Sequence, residues 1–114
     1  MASTTITASD LREKRCQGCE GGSALSSAQA GLLLSALDGW QSSGKEISKT
    51  YKFKNYYETM AFVNGLAFVA HRENHHPDLM VTYNKCEVRY SSHEVGGLSE
   101  NDFICAAKAD GLLA

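Results

Sequence analysis

A single proline, Pro77, occurs in this chain of 114 residues, and it follows directly on His75-His76. Proline lacks a backbone N–H and pushes the residue before it out of the helical region. Any helix arriving from the N-terminal side must therefore stop before His76, and the chain must leave extended. A helix does arrive. Met60, Val63, Ala67 and Ala70, joined by Phe62 and Leu66, make a wide apolar stripe from Tyr56 to about Arg72, with Gly65 its one weak point. Asn55 followed by Glu58 has the form of a capping box at its start, and Asn74 is suited to its end. Pro77 thus marks where the longest helix gives way to a strand, and it gathers His71, His75 and His76 at that junction.

The remaining segments follow the same logic. Ser26 or Ser27 caps a helix carrying Ala30, Leu33, Leu34 and Leu37, with Gly39 as the left-handed residue that stops it and Trp40 opening a strand. After a turn over 41–45, Ile47, Lys49, Tyr51 and Phe53 alternate with polar residues as the second strand of a hairpin. Leu79 to Tyr83 is a short strand and Asn84-Lys85 a turn. Cys86, Val88 and Tyr90 then alternate with Glu87, Arg89 and Ser91 as the clearest strand in the chain, with His93 just past its end. Beyond Gly96-Gly97, Ser99 as cap, Asp102 at the third helical position and Leu98 against Phe103 start a last helix that runs through Ala106, Ala107 and Ala109 to Gly111. Tyr51, Phe53, Phe62 and Phe103 read as core. The first 25 residues are polar and aperiodic and read as a flexible arm, 1–25, ahead of one domain, 26–114. The order α-β-β-α-β-β-α predicts an α+β fold, a four-stranded antiparallel sheet with three helices packed on one face.

Charge and composition exclude several functions. Eleven Lys and Arg against 13 Asp and Glu leave a net charge of −2, without the clustered basic excess a nucleic-acid partner requires. No apolar run approaches the roughly 20 residues that span a bilayer, and the N-terminus has no apolar signal core, so neither a membrane nor export is expected and the expected location is cytoplasmic. Cys16, Cys19, Cys86 and Cys105 fit a reducing compartment. Cys16-Gln17-Gly18-Cys19 is a lone C-x-x-C without the second pair a zinc site needs, and reads as a loop with two reducible thiols, with a metal site completed elsewhere as the alternative.

Chemistry concentrates in the histidines. If the long helix packs on the sheet, the strand ending at Ser91-Ser92 brings His93 toward the turn holding His75 and His76. Imidazoles titrate near neutrality, so one donates a proton while another accepts one, and acid/base work without a cofactor is the natural use. Two other readings stand beside it. His71 and His75, four apart, suit a metal, although Arg72 stands where a zinc-protease pattern has Glu. A His pair at a helix C-terminus is also favoured by the macrodipole alone, and Asp102 by its capping position.

The stretch Glu73-Asn74-His75-His76-Pro77-Asp78-Leu79, then Tyr83-Asn84-Lys85, Ser91-Ser92-His93-Glu94 and Gly97-Leu98-Ser99-Glu100-Asn101-Asp102-Phe103, resembles the pterin-4a-carbinolamine dehydratase family in order and spacing. Asp38-Gly39-Trp40 and Tyr51 to Tyr56 extend the resemblance over the chain from about Ser27 onward. It implies dehydration of 4a-hydroxytetrahydrobiopterin to quinonoid dihydrobiopterin, recycling the pterin of an aromatic amino-acid hydroxylase. It also implies a homodimer or homotetramer, and no cofactor or metal. By the same resemblance His75, His76 and His93 are catalytic. The pterin is bound by these three with Pro77, Ser92, Glu94 and Val95, and Asp102 and His71 lie near the site. Many members carry a glutamate where this chain has His71, and Glu73 faces another direction on a helix. The alternative is therefore a catalytically weak pterin-binding or dimerisation module of the same fold.

Overall fold

The computed structural model describes residues 6–18 and 23–114. The sheet is built on its most regular segment. In β4 (Lys85–Tyr90), Cys86, Val88 and Tyr90 are buried while Glu87 and Arg89 point to the other face. It pairs antiparallel with β2 (Ile47–Lys52) on one side and β3 (Asp78–Val81) on the other, and β1 (Gln41–Ser42) completes the order β1-β2-β4-β3. Opposite partners keep one chemistry per face: Tyr51 lies beside Cys86 and Ile47 beside Tyr90, whereas Thr50 lies beside Glu87 and Ser48 beside Arg89. The four-stranded antiparallel sheet with helices is the architecture expected. β3 begins one residue before the expected Leu79 and ends at Val81 instead of Tyr83, because Thr82 N donates to Lys85 O and draws Thr82 to Asn84 into the hairpin turn.

The α3 helix (Tyr56–Glu73) and α4 (Glu100–Gly111) lie against β4 and each other. The buried stripe of α3 is Thr59, Phe62, Leu66, Ala70 and Glu73, whereas Ala67 is exposed. The apolar pattern missed two polar members of this stripe because each is buried with partners: the Thr59 hydroxyl faces the carbonyls of Asn55 and Tyr83 at 2.9 and 3.0 Å. Asn55 caps the helix by accepting from Glu58 N, but Glu58 reaches back to Lys54 N instead of closing the box on Asn55. Helix α2 (Ser27–Ser35) is capped by Ser26 with Gln29. It ends at Ala36, short of Gly39, which with φ of 82° turns the chain toward Trp40.

The described part of the N-terminal arm is not structureless. Thr7 and Asp10 form a capping box on α1 (Ala8–Glu13), and Leu11 is fully buried in the common core beside α4. No helix is legible in the arm from the sequence, because six residues are too few to show a 3.6-residue period and one apolar side chain suffices to dock them. Helix α4 packs against α1, α2, α3 and β4 and is buried over most of its length, and Ala106, Ala107 and Ala109 let its neighbours approach closely. Its last turn is tied to the sheet through Asp110, which accepts from Trp40 Nε1 at 3.1 Å, Lys49 Nζ at 2.9 Å and the Tyr51 hydroxyl. Among the described residues, no helix is long and apolar enough to cross a membrane.

Candidate active site

The end of α3 is where the site is made. Asn74 takes the left-handed conformation (φ 54°), so His75 N turns back to donate to Ala70 O at 3.1 Å and Asn74 N to His71 O at 3.3 Å. This paired closure fixes the direction in which His75 leaves the helix. Its ring lies nearly parallel to Tyr90 at the end of β4, with centroids 5.9 Å apart and planes 8° from parallel. Its Nε2 stands 2.6 Å from Asp102 Oδ1 at the start of α4. Three elements therefore hold one imidazole by its backbone, its face and its edge.

Asp102 has no exposed surface, and its other oxygen is also used: Oδ2 accepts from Ser99 N and from the Ser92 hydroxyl, each at 2.9 Å. The single Ser92 proton is spent on Asp102, so the 2.6 Å contact between the Ser92 and Ser99 hydroxyls has Ser99 as donor. An ionised carboxylate only accepts. Nε2 of a neutral His75 ring then carries its hydrogen toward such a carboxylate, and Nδ1 is left without one. Asp102 thus performs the capping role read from its position and a second role, orienting His75, that its position did not reveal.

His75, Glu94 and Asn101 line a cavity of about 210 Å³ whose other walls include Cys16, Gln17 and Glu73. His93 lines a different and larger depression of about 540 Å³ with Ser43, Lys45, Glu46, Ser92 and Gly97. The short 3₁₀ turn His93–Val95 therefore borders both, His93 on one and Glu94 on the other. Gly96 closes this turn with φ of 71° and donates to His93 O. Ser92 is the link between the two depressions, since it borders the larger and holds the carboxylate that orients His75. His76 is exposed and lines neither; Pro77 and Val95 are half-buried. His71 is exposed on the last turn of α3.

The Glu73 carboxylate is taken up by the N-terminal segment. Its side chain is 2% exposed and accepts from Cys16 N at 2.8 Å while pairing with Arg15 Nε at 3.0 Å. Burial works against its charge, but the Cys16 N–H together with Lys108 and Arg15 outweighs it and holds the carboxyl below its ordinary value. Asn101 grips the same segment, accepting from Gln17 N at 3.0 Å and donating to Gln17 O at 2.6 Å. Sequence reasoning missed this strap as a wall of the His75 cavity, because its anchors are backbone groups. Cys19, the second thiol of the C-x-x-C, lies outside the described residues. Among the described residues, no group of three or more His, Cys, Asp or Glu is placed to hold a metal ion.

Fold and site together define a small α+β protein that buries a histidine–carboxylate pair where a long helix, a central strand and a terminal helix meet. A family model, Pterin 4 alpha carbinolamine dehydratase, matches residues 23–112, and the chain belongs to this family. A relative from Nitrosospira multiformis named "Putative pterin-4-alpha-carbinolamine dehydratase" is 57% identical over 107 residues, 93% of this chain and 95% of the relative. One of the same name from Dechloromonas aromatica is 54% identical over 108 residues, covering 94% and 96%. A crystal structure of a transcriptional coactivator/pterin dehydratase from Brucella melitensis aligns with a TM-score of 0.76 at 30% identity, over 80% of this chain and 99% of that one. A pterin dehydratase-like protein described as a RuBisCO assembly factor in the alpha-carboxysome shares the fold at 22% identity and a TM-score of 0.55, over 64% and 84%.

Proposed function

We propose that the protein removes water from 4a-hydroxytetrahydrobiopterin to give quinonoid dihydrobiopterin, by histidine acid/base catalysis, and so returns the pterin used by an aromatic amino-acid hydroxylase. The observation that carries this reading is the buried contact between His75 Nε2 and Asp102 Oδ1 at 2.6 Å. Loss of water from the carbinolamine carbon needs a proton given to the departing hydroxyl and a proton taken from the neighbouring ring nitrogen. Asp102 holds His75 in the tautomer that leaves Nδ1 as the acceptor for one transfer, and a pterin reaching across the turn His93–Val95 meets His93, on the neighbouring depression, for the other. His76, exposed before Pro77, contacts and orients the pterin with Glu94 and Val95. Assistance of this kind is worth about 10²–10⁴-fold, enough for a substrate that already tends to dehydrate. Neither a metal nor an organic cofactor takes part in this scheme.

The test is conversion of freshly generated 4a-hydroxytetrahydrobiopterin by the metal-stripped protein, alone and with His75→Ala, His93→Ala and the double variant. Acceleration by the parent and a steep fall in each variant are expected; full activity in the double variant would remove the proposal. A second reading, a weakly catalytic pterin-binding or assembly module, is favoured by His71 standing where many family members carry an acid. It predicts a slow parent whose rate rises in His71→Glu. A homodimer or homotetramer is proposed with either reading, supported by Phe68 at 65% and Tyr57 at 87% exposure on α3 and by the open β3 edge; light scattering in solution tests it.

A further inference from the structure

The strap that walls the His75 cavity also carries a thiol. Cys16 Sγ stands 3.4 Å from Cys105 Sγ on α4, and both are free. A disulfide has its sulfurs about 2.05 Å apart, so about 1.4 Å separates contact from bond. The backbone around Cys16 is pinned on both sides: Cys16 N donates to Glu73, and Gln17 exchanges two hydrogen bonds with Asn101. That pinning keeps the Cys16 thiol turned toward α4. Cys16 is half-buried and Cys105 fully buried. The contact with Cys16 and burial push the Cys105 thiol up, so Cys105 is not the point at which an oxidant enters.

We propose that Cys16 and Cys105 are a disulfide-forming pair, closed by a peroxide and reopened by a thiol reductant. Cys16 gives two electrons to the peroxide O–O bond, forming the sulfenic acid and releasing one water (for hydrogen peroxide). Cys105 sulfur then attacks the Cys16 sulfur, the S–O bond breaks, the Cys105 proton leaves with the hydroxyl as a second water, and the S–S bond is made. The bond welds the strap to α4 and fixes Cys16, Gln17 and Gly18 as a wall of the His75 cavity, whatever that cavity binds.

The experiment treats the folded full chain with hydrogen peroxide, denatures it, alkylates the remaining thiols and digests it with trypsin without reduction. Cleavage leaves Cys16 and Cys19 in the peptide 16–45 and Cys105 in 90–108. Mass spectrometry is expected to find these two peptides joined, the link lost on reduction and in Cys16→Ser but kept in Cys19→Ser, with Cys105 alkylation reduced to a small fraction. Full alkylation of Cys105 after treatment overturns the proposal, whether Cys16 has closed on Cys19 or passed to the sulfinic acid. Disappearance of the link in Cys19→Ser overturns it as well, since a direct pair needs no third thiol.

Discussion

Asp102 shows how one side chain joins folding to chemistry. At the third position of α4 its Oδ2 satisfies Ser99 N, as a capping acid does, while Oδ1 faces His75 from the other side. Replacing it with Asn keeps the volume but supplies an amide with one acceptor and one donor. The two donors on the Ser92/Ser99 side claim the oxygen, so the amide nitrogen meets His75, whose Nε2 must become an acceptor and whose hydrogen moves to Nδ1. Asp102→Asn is thus expected to reverse the His75 tautomer, read by nitrogen NMR, and to lower turnover by about 10²-fold or more with an altered pH profile. Loss of the charge-assisted bonds should cost about 1–3 kcal/mol of stability in denaturant titration. A purely structural Asp102 would lower stability and leave the tautomer alone. The sequence made the cap legible because Ser99 is three residues away. The pairing with His75 comes from the packing of α4 beneath the end of α3, which no local pattern encodes.

Among elements, the short ones, the turn His93–Val95 and helix α1, were the least legible. The long α3 and the alternating β4 were readable because many residues repeat one signal. The turn His93–Val95 has three residues and no period, yet it sets His93 on one depression and Glu94 on the other. Its geometry depends on Gly96 at φ 71°, where a Cβ meets no neighbouring atom but is still disfavoured by the backbone. Gly96→Ala is expected to cost about 1–2 kcal/mol, with a larger relative loss in dehydratase rate than a surface Ala substitution elsewhere. Helix α1 is the other short element. It contributes one fully buried side chain, so Leu11→Ala should cost about 2–5 kcal/mol in the same titration, where an unattached arm would cost nothing. Exchange of the α1 amides with deuterium should accelerate in that variant while β4 stays protected.

For the molecule as a whole, the N-terminal strap and the end of α3 form a joint across the chain, and its strength depends on pH through Glu73. The carboxylate accepts from Cys16 N, pairs with Arg15 and is further held charged by Lys108, against the burial that opposes it. Its folded value therefore lies below the ordinary 4.5 it regains on unfolding. An acid with a depressed folded value contributes stability that is fully present above the unfolded value and is lost as pH falls through the folded one. Over that acid window the unfolded chain binds the proton that the folded chain refuses. Glu73→Gln keeps the shape and the acceptor oxygen for Cys16 N but removes the charge. Denaturant titrations run from neutrality to the acid side of 4.5 should find the variant less stable than the parent at neutrality, the difference shrinking as the parent's Glu73 protonates. A constant difference across the window would mean that the joint is held by shape and hydrogen bonding alone. The same series reports on the strap, because protonation removes its charged anchor beside the His75 cavity. Trypsin cleavage at Lys14 and Arg15 should therefore quicken in Glu73→Gln at neutral pH while the sheet remains intact.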